Sequence, residues 1–212
     1  MLTDRILQKR IVPVAVIETV KDAVPLASAL AAGGLDIIEV TLRTPAALDC
    51  IREIRRSVPQ MLVGAGTILQ VEQVDAAVKA GAEFGVSPGL NDAVVQAAQR
   101  ADLPFIPGVM TPTEVERALA LGCRLLKFFP ADLAGGVNML NAWRGPYAHT
   151  GVRFIPLGGV NASNAAQYLA LPNVAAVGGS WIVDKRLIAA HDWEAIRALA
   201  VEAMRIAKPN SV

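Results

Sequence analysis

Short aliphatic runs that alternate with alanine-rich amphipathic stretches constrain this chain more than any other feature. The runs are IVPVAVI (11–17), LDIIEVTL (35–42), MLVGAG (61–66), EFGVSPG (83–89), LPFIPG (103–108), RLLKFFP (124–130), VRFIPLGG (152–159) and VAAVGGS (174–180). Between them lie helical patterns such as KDAVPLASALAAG, PAALDCIREIRRS, VEQVDAAVKAG, LNDAVVQAAQRA and TPTEVERALALG, with further helices expected near 1–8 and 191–207. A strand that reads as a continuous aliphatic run is buried on both faces, the condition of a parallel sheet covered by helices. Strand and helix in turn, joined by short loops, predict parallel βα units. Eight such units predict closure into a (β/α)8 TIM barrel rather than an open α/β sheet.

An internal echo supports the repeat. In AGGLDIIEV, AGAEFGV and LGCRLLKF, Gly34, Gly81 and Gly122 each stand five residues before Glu39, Val86 and Lys127. Glycine there fits a helix C-cap, where the backbone turns left-handed before it enters the strand. No linker or low-complexity stretch interrupts the 212 residues, so one domain is expected over 1–212.

Composition narrows the partners. With 20 basic and 19 acidic side chains the net charge is +1, and neither a basic stripe for nucleic acid nor an acidic tail is present. The N-terminal MLTDRILQKR carries charges throughout, and no apolar run reaches membrane-spanning length without Gly, Pro or a charge. Cys50 and Cys123 lie far apart and read as free thiols. The expectation is a cytoplasmic protein whose partners are small molecules and copies of itself, with no nucleic acid and no membrane.

Two charges sit where a barrel strand should be apolar: Glu39 in LDIIEVTLR and Lys127 in RLLKFFP. Side chains alternate along a strand, so each faces either the interior or the helix layer, and an unpaired buried charge is costly in both. One reading is a structural Lys127–Glu39 ion pair, or a lysine at a strand end reaching solvent. The other is chemical: an apolar setting frees the lysine amine to attack a carbonyl, and a nearby carboxylate moves protons at the reacting carbon. Arg43, four residues past Glu39, could grip a substrate carboxylate by a two-pronged hydrogen bond, or be a solvated surface arginine.

Phosphate signals follow. Gly158-Gly159 comes after the seventh run, before a helix whose N-cap could be Asn161 or Ser163, and Gly178-Gly179-Ser180 comes after the eighth. Barrels commonly bind phosphate on these two loops. His149 and His191 are isolated from any metal-ligand spacing, so no metal is expected. Trp143, Trp181 and Trp193 read as packing residues, and Ser87 has no evident base.

The segments EVTLRT (39–44), VGAGT (63–67), VSPG (86–89), KFFPA (127–131), GGV (158–160) and GGSW (178–181) together resemble the 2-keto-3-deoxy-6-phosphogluconate (KDPG) aldolase family, in the family's order and over roughly 11–207. The resemblance implies a class I aldolase on a (β/α)8 barrel, commonly trimeric, that uses no metal or other cofactor. It implies a Schiff base on Lys127 and acid/base work by Glu39. Arg43 and Thr67 would hold the keto acid, Pro88 and Phe129 would line the pocket, and Gly158, Gly159, Gly179 and Ser180 would meet phosphate. Pyruvate and a phosphorylated keto acid are then the expected ligands. One departure stands out: many members carry threonine in a PTGG segment, where this chain has Pro156-Leu157-Gly158-Gly159. Leu157 therefore bears on which sugar acid is preferred, and the galactonate epimer and 4-hydroxy-2-oxoglutarate remain alternatives. An isomerase or epimerase that uses Glu39 without a covalent lysine is the rival from another class.

Overall fold

In the computed structural model residues 2–208 are described; Met1 and residues 209–212, the ends of the expected 1–212 domain, lie outside them. The first half runs α1 (Leu2–Lys9), β1 (Ile11–Ala15), α2 (Ala23–Ala32), β2 (Ile37–Thr41), α3 (Ala47–Ser57), β3 (Leu62–Gly66), α4 (Val71–Ala80), β4 (Phe84–Val86) and α5 (Asp92–Arg100). There follow β5 (Phe105–Ile106), β6 (Gly108–Val109), α6 (Pro112–Ala120), β7 (Leu125–Phe128), α7 (Gly136–Ala142) and α8 (Arg144–Tyr147). The chain continues through β8 (Arg153–Pro156), α9 (Ala165–Leu169), β9 (Val177–Gly179), α10 (Lys185–Ala189) and α11 (Trp193–Ala207). The result is a mixed α/β unit around a curled, wholly parallel sheet. One part has the order β5-β4-β3-β2-β1-β9, the other β6-β7-β8.

The five long amphipathic patterns became α2 to α6, and the flanking helices became α1 and α11, because each offers an apolar stripe to the sheet. Their ends follow capping rules. Thr111 and Glu114 form a reciprocal capping box at the start of α6. Gly34, Gly81 and Gly122 have φ of +94°, +90° and +82°, the left-handed exits their spacing predicts. The short helices α7 to α10 hold between four and seven residues, too few for a periodic pattern to announce them.

Two expectations need correction. The run 103–108 is not one strand: β5 pairs with β4, β6 pairs with β7, and Pro107 stands between them. Proline has no N–H for a ladder, so the strand changes partner there, although the Pro107 carbonyl still accepts the Lys127 N–H at 2.9 Å. Neither Asn161 nor Ser163 caps a helix, since α9 starts only at Ala165. Asn161 instead closes a turn, its Oδ1 accepting the Ser163 N–H at 2.9 Å.

Alternation along the strands separates two apolar clusters. Ile38, Val40, Val63, Leu126 and Phe128 pack outward with helix residues such as Leu26 and Ile51. Val12, Val14, Ile37, Leu62, Phe84, Val86, Ile106, Ile155 and Leu157 pack inward on one another. Ile6 of α1 is fully buried in the inner cluster, with Leu2 and Leu7 beside it. The helix α1 therefore plugs the sheet at the end where strands begin. Each such aliphatic burial is worth about 1.5–3 kcal/mol. The other end is left for polar groups.

Candidate active site

Glu39 and Thr41 lie two apart on β2 and so share a face. Glu39 stands beside Val14 of β1 and Gly64 of β3 in register. Lys127 on β7 stands beside Ile155 of the inner cluster. Both charges thus point inward: Lys127 is 6% and Glu39 1% exposed, and Nζ lies 3.8 Å from Oε1. A lysine that reaches solvent from a strand end is thereby excluded.

Glycine makes room for this pair. A Cβ on Gly66 would overlap the Glu39 carboxyl group, and one on Gly64 would overlap the Phe84 ring. The VGAG segment is therefore the space into which Glu39 and its apolar floor fit.

Burial pushes the Glu39 carboxyl above its ordinary range, and the charges of Lys127 and Arg43 offset only part of that. Glu39 Oε1 has no close hydrogen-bond partner, so its ionised form is favoured mainly by the charges of Lys127, 3.8 Å away, and Arg43. A carboxyl group so placed can take a proton and give it back. A primary amine beside it can add to a carbonyl, and the same carboxyl group can then move the protons that addition and dehydration require.

Above the pair a cavity of about 350 Å³ opens at the C-terminal ends of the strands. Arg43 lies just past β2, its Nε donating to Thr41 Oγ1 at 3.2 Å. Thr67 follows β3 with φ of +59°, a strained conformation for a β-branched residue and one that gathers at functional sites. Pro88 and Phe129 line the wall, and the Phe129 ring centroid is 5.2 Å from Lys127 Nζ. Leu157, Gly158, Gly179 and Ser180 complete the rim. Gly158 and Gly159 both turn left-handed, with φ of +88° and +81°, a backbone conformation that favours glycine. Gly179 ends β9 rather than following it, where a side chain would overlap Trp181.

Of the catalytic, keto-acid and phosphate residues expected from the sequence, all but Gly159 and Gly178 line this cavity. Gly159 packs against Asp132 beside it. Two lining residues were missed, Val14 and Thr41. Both were open to discovery: Thr41 is the next inward position after Glu39, and Val14 is the central residue of the first aliphatic run. Ser87 donates its hydroxyl to the Gly89 carbonyl at 2.6 Å, a turn bond and not part of a nucleophile pair. Trp143 is core, its ring 5.1 Å from that of Phe128. A second cavity of about 360 Å³, lined by Phe105, Cys123, Leu125 and Arg153, opens where strands begin, away from Lys127.

Residues 2–199 match the family model described as KDPG and KHG aldolase. A 2-dehydro-3-deoxy-phosphogluconate aldolase of Treponema pallidum is 48% identical over 197 residues, 93% of each chain. The KHG/KDPG aldolase of Escherichia coli K12 is 44% identical over 93% of this chain and 92% of its own. Among solved structures, the KDPG aldolase of Legionella pneumophila superposes with a TM-score of 0.92 at 42% identity, covering 96% of this chain and 98% of that one. In that crystal pyruvate is captured at low pH as a covalent carbinolamine intermediate.

Proposed function

The chain belongs to the KDPG and KHG aldolase family, and on that premise we propose that it cleaves 2-keto-3-deoxy-6-phosphogluconate to pyruvate and glyceraldehyde 3-phosphate through a Schiff base on Lys127. The observation that carries this reading is the buried amine of Lys127, 3.8 Å from the buried carboxyl group of Glu39, at the floor of the cavity. The carbinolamine captured in the Legionella relative supports the same chemistry.

The steps follow from the two groups. Lys127 Nζ adds to the C2 carbonyl, and the carbinolamine loses water to an iminium. Glu39 takes the C4 hydroxyl proton, the C3–C4 electron pair flows into the iminium, and the aldehyde leaves. The remaining enamine takes a proton at C3, returned by Glu39, and hydrolysis of the iminium frees pyruvate and Lys127. Arg43 and Thr67 hold the keto-acid end, while Pro88 and Phe129 exclude water from the iminium. Backbone N–H groups of Gly158, Gly159 and Gly179, with the Ser180 hydroxyl, receive the phosphate.

A second substrate has its own support. The E. coli relative is named for both KHG and KDPG, so cleavage of 4-hydroxy-2-oxoglutarate by the same lysine belongs to this reading. We also read the two sheet parts as one closed (β/α)8 barrel in a single catalytic domain. Only Pro107 separates β5 from β6, and a parallel bridge between Phe154 and Val174 links β8 toward β9. We infer a homotrimer on the family resemblance, and a cytoplasmic location on the free thiols and the charged N-terminal segment of the sequence.

The test is chemical. Pyruvate with borohydride should leave one reduced adduct, and peptide mapping should find it on Lys127. Modification of another lysine, or none, would overturn the Schiff-base reading.

A further inference from the structure

We infer that Thr41 is a positioning residue, whose buried hydroxyl fixes the Arg43 guanidinium at the mouth of the cavity in reach of the substrate carboxylate. This rests on the reading of Arg43 as the carboxylate holder.

Thr41 is 1% exposed and ends β2, in register with Gly66 of β3. Its Oγ1 donates to the Ala15 carbonyl of the neighbouring strand at 3.0 Å and accepts from Arg43 Nε at 3.2 Å. A hydroxyl has one proton, and here it is committed to Ala15. What Thr41 offers the cavity is therefore a lone pair. A lone pair cannot bind a carboxylate, but it matches a guanidinium, which only donates. The hydroxyl thus serves the substrate through Arg43 rather than by touching it.

Two further restraints make the anchor stiff. The β-branch of threonine limits χ1, so the oxygen keeps its direction. Just past Thr41 the Leu42 N–H donates to the Gly66 carbonyl at 2.8 Å, which pins the backbone that carries Arg43. The Nη groups of Arg43 have no hydrogen-bond partner among the described residues, so its fork remains free for two parallel bonds to a carboxylate. An arginine that is otherwise exposed is thereby oriented before substrate arrives.

The experiment compares Thr41→Val, Thr41→Ser and Arg43→Ala, with the Thr41→Val/Arg43→Ala double variant, in steady-state cleavage of 2-keto-3-deoxy-6-phosphogluconate. Thr41→Val should raise KM about tenfold with much less effect on kcat, because a hydrogen bond to a charged group is lost. Thr41→Ser should recover most of the loss. In the Arg43→Ala background Thr41→Val should add little, since the two act as one unit. Thermal unfolding of each variant checks that it is folded, and Thr41→Ala replaces Thr41→Val should the latter not fold. If Arg43→Ala raises KM and Thr41→Val does not, the inference falls while the Arg43 reading stands. A tenfold loss that persists unchanged without Arg43 also overturns it, as a merely structural effect would do this. If Arg43→Ala leaves KM unaltered, the Arg43 reading fails and Thr41 loses its role with it.

Discussion

The two ends of the inner sheet face obey opposite rules. On β2 the inward positions read Ile37, Glu39, Thr41 from the end where strands begin to the end where they stop. On β7 they read Leu125 and Lys127, with Phe129 just beyond. A step of two residues is about 7 Å, so the passage from aliphatic filling to ionisable chemistry takes one layer of side chains. Below that layer Ile37, Leu62 and Ile6 belong to one buried apolar cluster. Above it stand a carboxyl group, an amine, a guanidinium and two glycine turns. Stability and reactivity are divided along the strand axis, and changes at the two ends should have different consequences.

The largest expected effect is at the reactive end. Glu39→Gln keeps the shape and removes the base, and turnover should fall by about 10²–10⁴-fold while pyruvate is still trapped on Lys127. Wild-type kcat/KM should also fall on the acid side, at a pH above the ordinary glutamate value of about 4.3, because burial raises the Glu39 carboxyl. The sign follows from the role: the base must be ionised, so activity is lost as pH drops through the raised value. Glu39→Gln should lack this acid limb. A limb that persists in Glu39→Gln would assign the titration to another group.

The plug should answer differently. Ile6→Ala removes a fully buried side chain at the far end and should cost about 2–5 kcal/mol in denaturant unfolding. Its specific activity, per folded molecule, should stay within about twofold of wild type, given that a cavity made at a distant site adds independently of the chemistry. A large loss of kcat in a folded Ile6→Ala protein would show that the two ends are not separable.

Leu157 tests the border between them. It belongs to the inner apolar cluster, covers Gly178 and also lines the cavity. A threonine here could hydrogen-bond a substrate hydroxyl, whereas leucine offers bulk alone. Leu157→Thr should shift the ratio of kcat/KM for the gluconate-derived over the galactonate-derived substrate by about tenfold, the size of one such bond. An unchanged ratio would make Leu157 part of the filling.

The sequence made this division partly visible. Glu39 and Lys127 stood out because a charge inside an aliphatic run contradicts its surroundings, and the glycine pairs because they recurred at loop positions. Thr41 did not stand out, since threonine is at home in a strand and its hydroxyl became informative only once Ala15 and Arg43 were seen around it. The partner change at Pro107 is written in the proline, but the aliphatic residues on both sides of it give 103–108 the pattern of a single strand. Short helices and the late start of α9 depend on tertiary packing and carry no periodic signal.

The glycine at position 66 has a consequence for what this scaffold will tolerate. Because the Glu39 carboxyl group occupies the volume where a side chain would grow, even alanine at Gly66 would force that carboxyl group to move. Gly64 is closed in the same way by the Phe84 ring. A library built to change substrate range can start from Leu157 on the rim, but each mutational path through positions 64 and 66 starts by displacing the Glu39 carboxyl group or the Phe84 ring beneath it. The versatility of the rim and the rigidity of these two sites are complementary.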